Sequence, residues 1–446
     1  MLSAERSQRA TLVRLFLLGD DLPVEDVADV MALDDVGPLL AIEGAVARAA
    51  YDVTPYGDES HDWWVVSDRT GAAGRPMRAE HVLGVGRASA TLAQLTIRRP
   101  VGRALDIGTG CGVQALHLST HAGLVTATDV VDRAVRLAST SFALSGIDVE
   151  LHTGDLVAPV ESREFDLVVC NPPFVVGPEP RFAYRDADWS SSAGPEPDGL
   201  SRRAVRAAAS VLADGGVAQL LVNWLHVRGE DWRERVGAWV NDLGVNALLL
   251  ERDAEDPADY VDTWLADAGE SGDDERAEQW RRWLVRRQVE AVGFGWVVLR
   301  RGPSPHRVAV ESVTQQVEQP LGEEVARWLD RLSWLRDATD TQLLDTRLRV
   351  ADGVRLETSS RPDDGGWRPT SHTLALTGGF RWSLESDEAV AALVAGCDGS
   401  RRLADLVPVL SAATGLPTDE LAAALCGTVR GLVDRGILEP PRGTSA

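Results

Sequence analysis

The chain has 446 residues, of which 45 are basic and 68 acidic, giving a formal net charge of −23. All of the basic residues are arginine, because the sequence contains no lysine. Lysine's absence excludes a phosphate-binding loop of the Gly-x-x-x-x-Gly-Lys-Ser/Thr type, pyridoxal-phosphate and Schiff-base enzymes, and protein kinases. At about 100–200 residues per domain, the length predicts roughly two to four domains.

The sequence has the features of a cytoplasmic protein without a membrane span. No apolar run reaches the ~18 residues that a span needs, and arginines at 6, 9 and 14 interrupt the first apolar stretch, unlike a signal peptide. The four cysteines lack metal or disulfide spacing, which favours reduced thiols. His117 and His121 are four residues apart but have no third ligand in sight, so we expect no metal site.

Residues 1–78 predict an N-terminal helical, winged-helix-like domain. Apolar residues at three- and four-residue spacing predict helices over 23–31 and 36–50. The run 63–68, Trp-Trp-Val-Val-Ser-Asp, predicts a strand after them.

Residues 79–312 alternate between strand and helix patterns. Predicted strands cover 104–107, 124–129, 149–152, 165–170, 217–223 and 293–300, and predicted helices cover 112–119, 133–145, 201–213 and 277–289. This alternation predicts an α/β fold, a Rossmann-like doubly wound parallel sheet with helices on both faces. Eleven acidic residues between 253 and 278 predict a solvated insertion.

The remaining sequence predicts two further regions. Residues 313–380 form a connecting region of unassigned role, with a helix over 325–335 and a strand pair near 348–357 and 372–377. Residues 381–446 predict three helices and a closing strand, a second winged-helix-like domain.

A glycine-rich loop is the first chemical signal. The run Asp106-Ile107-Gly108-Thr109-Gly110-Cys111-Gly112 follows a predicted strand and opens a helix. Glycines allow close backbone approach to a ligand, and a helix N-terminus presents free N–H groups. The spacing Asp-x-Gly-x-Gly-x-Gly differs from the dinucleotide fingerprint. An acid before the first glycine suits a ligand with a cationic amino group.

Two more acids fall at strand ends. Asp129 lies 21 residues after Gly108, at the distance expected for a ribose partner. Asp155 follows the third strand and could accept a hydrogen bond from an adenine amino group. Three ordered acids make the loop a strong signal, with an NAD-type Rossmann domain as the alternative.

At these motifs the chain resembles the class I S-adenosylmethionine-dependent methyltransferases. The resemblance implies S-adenosyl-L-methionine as cofactor, Asp106 near its methionine end, Asp129 on the ribose and Asp155 near the adenine. It also assigns to the cofactor site the loop residues and neighbours of these acids, namely Gly108, Thr109, Gly110, Gly112, Val130 and Leu156, together with Asn171.

The second chemical signal is Asn171-Pro172-Pro173-Phe174, directly after the fourth strand. Two prolines cannot continue a central ladder, so the chain must leave the sheet where α/β folds place ligands. The Asn171 side-chain oxygen and the Pro172 carbonyl could accept the N–H hydrogens of a planar nitrogen. Phe174 could stack on the planar group and align it for attack.

This element is similar to the Asn/Asp-Pro-Pro-Tyr/Phe signature of methyltransferases acting on planar nitrogens. With the continuation Val-Val-Gly-Pro it most resembles the glutamine methyltransferases of peptide release factors, which implies a protein side-chain amide as substrate. That resemblance makes Asn171, Pro172 and Phe174 the candidate catalytic residues. Candidate substrate-binding residues are Pro173, Phe174, Val175, Asp198 and Gly199, the last two from a loop ending in Asp-Gly-Leu.

Two alternatives remain open. Phe174 in place of the usual tyrosine is commoner among ribosomal-RNA guanine methyltransferases, which implies a nucleic-acid amine as substrate. The net charge of −23 weighs against a phosphate-rich partner, because nucleic-acid affinity rests on cationic side chains. The C-terminal region also resembles modules that bind leader peptides in natural-product pathways, so a peptide substrate of that kind is the other alternative.

Overall fold

A computed structural model describes residues 7–33, 39–69, 80–173, 175–178, 198–267, 270 and 272–441. The chain divides into two units, Met1–Ala93 with Arg98–Thr314 and Gln94–Ile97 with Gln315–Ala446. None of the helices within the described ranges combines the length and apolarity needed to cross a membrane.

The first unit begins with short elements. They are helices α1 (Gln8–Leu12) and α2 (Val24–Ala28) and strands β1 (Leu22–Pro23), β2 (Leu40–Glu43), β3 (Val46–Ala49), β4 (Tyr51–Gly57) and β5 (Asp62–Asp68). The helix predicted over 36–50 is wrong, because residues 40–49 form the antiparallel pair β2–β3. Its turn uses Gly44 at φ 62°, a conformation that suits glycine. A winged-helix arrangement is therefore not confirmed here, whereas the strand predicted over 63–68 is confirmed.

The rest of this unit is built on an eight-stranded sheet. Its strands are β6 (Val101–Ile107), β7 (Ala122–Asp129), β8 (Glu150–Thr153), β9 (Phe165–Cys170), β10 (Leu212–Val227), β11 (Val245–Glu255), β12 (Val289–Arg301) and β13 (Val308–Ser312). Its helices are α3 (Arg87–Leu95), α4 (Val113–Leu118), α5 (Asp132–Ser145), α6 (Gly199–Ser210), α7 (Trp232–Gly237), α8 (Pro257–Asp267) and α9 (Asp274–Arg286). The order across the sheet is β13-β11-β12-β10-β9-β6-β7-β8.

The sheet is mixed, which corrects the prediction of a parallel one. Strands β6 to β10 pair in parallel, but β12 runs antiparallel to both β10 and β11. The reason is the connection between β11 and β12, which consists of α8 and α9. This connection begins and ends at the same end of the sheet, so β12 runs in the opposite direction to β11. Consequently β11 points the same way as β10, and its carboxyl end shares an edge with those of β6, β7 and β9.

Both faces of the central strands are buried, as the apolar runs in β9 and β10 require. Phe165, Val168, Leu220 and Trp224 belong to one large cluster with the buried face of α6. The α/β architecture predicted from the alternating pattern is confirmed, and this packing fixes the strand ends in space.

The acidic segment 253–278 is not a solvated insertion. Its described residues end β11 and contribute α8 and the start of α9, whose inner side chains are buried with the chain that follows β9. Tyr260, Leu265 and Trp280 are among these buried residues. Their helical spacing leaves the carboxylates on the outer side of the helix pair, so the acidic composition describes only the exposed face.

The hairpin β4–β5 packs on α4 and α5 of the sheet region. Val66 N–H donates to Ser141 Oγ at 2.9 Å, and Asp68 pairs with Arg133 at the start of α5. The N-terminal elements therefore share one unit with the sheet.

The second unit contains the predicted C-terminal elements. Its elements are α10 (Gly322–Asp337), α11 (Asp340–Asp345), β14 (Arg349–Val350), β15 (Val354–Asp363), β16 (Gly366–Leu376), β17 (Ser383–Ser386), α12 (Glu388–Gly396), α13 (Leu403–Thr414), α14 (Thr418–Asp434) and β18 (Leu438–Glu439). The predicted helix over 325–335 and the three C-terminal helices are confirmed. The closing strand β18 pairs with β14, and the predicted strand pair is a longer, largely exposed hairpin, β15–β16. A winged-helix arrangement is not confirmed here either.

We predict that His117 makes stability depend on pH. Tyr56 Oη lies 2.7 Å from His117 Nε2, and Arg98 donates to Nδ1 at 3.1 Å, so the folded ring is neutral with its proton on Nε2. Burial, followed by the charge of Arg98, lowers the pKa of His117 to about 4. Between pH 6.5 and 4 the unfolded chain binds a proton that the folded chain does not, so stability falls by about 2–3 kcal/mol as the pH drops through that window.

Urea unfolding between pH 4 and 8 tests this prediction. His117→Gln should flatten this part of the profile, whereas His306→Gln, at an exposed histidine, should leave the profile unchanged. An identical pH slope in the His117→Gln variant and the wild type would contradict it.

Candidate functional site

The candidate site lies where parallel strands end at one edge of the sheet. In the β6–β7 pair Ile107 is opposite Thr128, and in the β6–β9 pair Ile107 is opposite Cys170. Gly108, Asp129 and Asn171 are the next residues along the chain, so they lie side by side at this edge of the sheet. The sequence motifs are thereby brought together as predicted.

The glycine loop is held against β7 by its backbone. Gly108 and Thr109 N–H groups both donate to the Thr128 carbonyl, at 2.8 and 3.0 Å. Gly108 and Gly110 have positive φ angles of 71° and 56°. A Cβ at either position would meet no atom of the described residues within 4 Å. The loop therefore has an open side on which a ligand could approach the backbone.

Gly112 is packed closely against a neighbouring helix. A Cβ there would lie 2.6 Å from the Phe142 ring on α5. Its missing side chain makes room for helix packing, and its φ of 95° also favours glycine. Its predicted place under the cofactor stays a prediction.

Asp106 is a buried carboxylate with one oxygen satisfied. Thr109 Oγ1 and Ala115 N–H both donate to its Oδ2, at 2.7 and 3.2 Å. Its Oδ1 is buried and has no donor among the residues that the structure describes. Burial raises the pKa of Asp106 to about 7, with the nearby Asp129 charge adding to the rise. The Thr109 hydroxyl thus orients this carboxylate, and the predicted cofactor contact of Thr109 stays a prediction.

Asp129 is oriented by backbone groups. Its Oδ2 accepts from Gly110 N–H and its Oδ1 from Val131 N–H, both at 2.9 Å. Burial raises its pKa. The bond from Gly110 ties the end of β7 to the glycine loop. The half-buried Val130 lies between Asp129 and Val131, which the second bond joins.

Asp155 and Leu156 complete the same edge. Thr128 Oγ1 donates to the Leu156 carbonyl at 2.8 Å, and Leu156 has a positive φ of 49°. Arg203 on α6 donates to Asp155 Oδ2 at 2.7 Å, a partner that sequence spacing did not reveal. The other oxygen, Oδ1, is buried without a donor in the described part of the chain.

Asn171 presents the third such oxygen. Its Oδ1 is buried, and none of the described residues donates to it. Pro172, the next residue, is buried, and Pro173 is half-buried. Phe174, predicted to stack on the substrate, lies outside the described residues. Val175, predicted to contact the substrate, is 4 % exposed and packs in the cluster under α8 and α9.

Asp198 was predicted to bind substrate, but its side chain is buried inside the protein. Its side chain is fully buried in an ion pair with Arg235 on α7, with oxygen–nitrogen distances of 2.6 and 2.8 Å. Leu225 N–H also donates to it, at 3.3 Å. With its oxygens thus engaged, Asp198 fixes the start of α6 to β10 and is closed to a substrate. The adjacent Gly199 is buried as the first residue of α6.

Three buried acceptor oxygens without donors among the described residues thus occur on strand ends of one sheet edge, on Asp106, Asp155 and Asn171. An unpaired buried acceptor costs about 1–3 kcal/mol. The arrangement therefore suits a ligand that brings several N–H donors, one of them cationic.

Comparison with known proteins agrees with this geometry. Residues 84–185 match the family model described as methyltransferase small domain. Over this segment the chain is similar to that family. Residues 326–440 match a second family model, described as a domain of unknown function (DUF7782).

Three relatives match the segment around the methyltransferase small domain. A release factor glutamine methyltransferase of Deinococcus radiodurans is 39% identical over 127 residues, covering 26% of this chain and 44% of that protein. Ribosomal RNA small subunit methyltransferase C of Alcanivorax borkumensis is 32% identical, covering 27% of this chain and 32% of that protein. A ribosomal protein uL3 glutamine methyltransferase of Bradyrhizobium diazoefficiens is 33% identical, covering 26% and 32%. The chain spans less than half the length of each of these relatives.

We predict that Asp106→Asn stabilises the ligand-free protein at pH 8. The wild-type carboxyl has a folded pKa of about 7 against about 3.8 as its ordinary value, so its contribution to stability is lost as the pH rises from 4 through 7. Replacing it with a neutral amide should raise the unfolding free energy by roughly 2 kcal/mol at pH 8 and by much less at pH 4. Asp148→Asn, at an exposed aspartate, should change stability little at either pH. Equal effects of Asp106→Asn at both pH values would contradict the raised pKa.

Proposed function

We propose that the chain is an S-adenosyl-L-methionine-dependent N-methyltransferase that methylates a planar nitrogen, the side-chain amide of a protein glutamine. The observation that carries the proposal is the Oδ1 of Asn171 beside the glycine loop, which is buried and receives no hydrogen bond from the described residues. An acceptor in that position fits an N–H of an amide that enters the same edge of the sheet.

The residues at this edge fit the cofactor. Asp106 Oδ1 is a buried acceptor with no donor in the part of the chain that the structure describes, and it suits an ammonium group. The open side of Gly108 and Gly110 leaves room for a ligand against the backbone. In this proposal Asp129 would bind a ribose diol, and Asp155 Oδ1 would accept a hydrogen bond from an adenine amino group. When bound, S-adenosylmethionine supplies a methyl group on a positively charged sulfur.

The chain's own part in the reaction is to orient and activate the nitrogen. An amide nitrogen is a poor nucleophile because its lone pair is delocalised into the carbonyl. Hydrogen bonds from its N–H groups to Asn171 Oδ1 and the Pro172 carbonyl raise electron density on nitrogen and fix the direction of its lone pair. Positioning of this kind is worth several kcal/mol of the barrier. The two prolines stiffen the backbone that carries both acceptors.

The choice of a protein glutamine is supported by two observations. The relatives from Deinococcus and Bradyrhizobium are both named for glutamine methylation. The net charge of −23 also opposes association with a polyanion and favours a neutral or basic polypeptide. A host peptide release factor is the first substrate to test.

Ribosomal RNA is the second candidate, because the Alcanivorax relative is named for ribosomal RNA methylation. An exocyclic guanine or adenine amine is also a planar nitrogen, so the same Asn171 chemistry would serve it. Phosphate contacts would make binding fall steeply with salt, which separates this candidate from the first.

The substrate is tested with purified protein, labelled cofactor and host lysate, before and after nuclease or protease treatment. We expect label in protein that protease removes and nuclease spares, and label in the Gly-Gly-Gln peptide of the release factor. Label that nuclease removes would favour RNA, and label in a small secreted peptide would favour a natural-product pathway. Absence of label from the release factor peptide would contradict the leading proposal.

We predict opposite effects for Asn171→Ala and Asp129→Ala. Removing the Asn171 acceptor should lower kcat about 10²–10³-fold, by analogy with loss of other transition-state hydrogen bonds, and leave cofactor affinity nearly intact. Removing the Asp129 carboxylate should weaken cofactor binding about 10- to 100-fold. Calorimetric cofactor titration and turnover measurements check both. Full activity of the Asn171→Ala variant would show that the mechanism is wrong.

A further inference from the structure

The backbone that leaves the Asn-Pro-Pro element is held by two aromatic side chains from the acidic helix pair. Tyr260 on α8 accepts a hydrogen bond from Val176 N–H at 2.7 Å through its hydroxyl oxygen. Trp280 on α9 donates its indole N–H to the Val176 carbonyl at 3.0 Å. Both backbone groups of one residue are therefore bound by side chains distant in sequence.

These two bonds replace a strand ladder. Pro172 and Pro173 remove the chain from the sheet, so the following backbone loses its ladder partners. Tyr260 and Trp280 are 0 % and 2 % exposed, and a buried backbone group without a partner would cost about 1–3 kcal/mol. Tyr260 and Trp280 satisfy the N–H and carbonyl of Val176 without another strand.

The local sequence is fitted to this arrangement. Val175 and Val176 are buried in one cluster with Tyr260 and Trp280. Gly177 lies against the Trp280 ring, where a Cβ would be 3.1 Å from ring atoms. The continuation Val-Val-Gly after the element is thus explained by packing on α8 and α9.

Asn171 is close in sequence to two fixed points. On one side Cys170 pairs with Ile107 and Leu220 inside the sheet. On the other side Val176 is bound by Tyr260 and Trp280, only five residues after Asn171. Because the backbone is held on both sides of Asn171 within a few residues, the Asn171 oxygen can occupy only a limited range of positions.

We propose that Tyr260 and Trp280 are positioning residues for methyl transfer, which act by holding Val176 so that the Asn171 oxygen meets the substrate amide. This inference rests on the proposed function. It gives the acidic helix pair, inserted between β11 and β12 at the same edge of the sheet, a role in the reaction. The reacting groups themselves do not include either aromatic residue.

The test uses Tyr260→Phe, which removes only the hydroxyl, and Trp280→Phe, which removes the indole N–H. With the full-length protein, labelled cofactor and the host release factor, each variant should lower kcat about 10- to 100-fold, since misplacement by about 1 Å costs about 100-fold. KM for the release factor and the cofactor dissociation constant should stay within about threefold of wild type. Tyr56→Phe is the matched control, because it removes a tyrosine hydroxyl hydrogen-bonded to His117 in the same unit, and its kcat should be unchanged.

Hydrogen exchange provides a readout that does not depend on turnover. A peptide containing Val176 should exchange faster in Tyr260→Phe than in wild type, while peptides from β6 and β9 should not change. Unchanged exchange at Val176, or a kcat equal to that of wild type in both variants, would overturn the inference while leaving the proposed function intact. A loss of cofactor affinity parallel to the loss of kcat would also overturn it, because it would indicate general damage. If wild type labels neither protein nor RNA, the proposed function fails and the inference falls with it.

Discussion

The parallel pairing of β6 with β7 and β9 is the constraint on which the candidate site depends. Parallel strands bring their carboxyl ends to one edge, and here the register puts the residues after Ile107, Thr128 and Cys170 at one level. The glycine loop, Asp129 and Asn171 come from segments far apart in sequence, yet no further device is needed to assemble them. The hydrogen bond from Gly110 to Asp129 is a consequence of this pairing and strengthens it.

The candidate site contains buried polar atoms, which by themselves lower the stability of the fold. Asp106, Asp155 and Asn171 each keep one buried oxygen without a donor among the described residues, and such atoms cost about 1–3 kcal/mol each. A domain is typically stable by only about 5–15 kcal/mol, so the surrounding core must offset a sizeable penalty. The large apolar cluster beneath β9 and β10 supplies that stability. A ligand with matching donors would return part of it on binding.

The features predicted correctly from the sequence are those determined by residues close together along the chain. The order of strands and helices follows from apolar periodicity, and the acids at 106, 129 and 155 are recognisable because each lies at or just after the carboxyl end of a strand. Strand direction is not local: the antiparallel β12 depends on where the chain leaves β11. The helix predicted over 36–50 failed because alanine and valine at hairpin positions also match helical spacing. Asp198 was assigned to substrate because its partner Arg235 lies 37 residues away, and the charge of α8 and α9 obscured the spacing of Tyr260 and Trp280.

Two buried contacts bracket the chain between the Asn-Pro-Pro element and α6. Val176 is fastened by Tyr260 and Trp280, and Asp198 by Arg235. Neither contact uses a side chain from residues 179–197, and the entropic cost of lengthening a connection grows only slowly with its length. Both ends of this segment are thus held by side chains from α7, α8 and α9. Substitutions in these three helices can therefore displace either end of the segment, although the helices lie far from it in sequence.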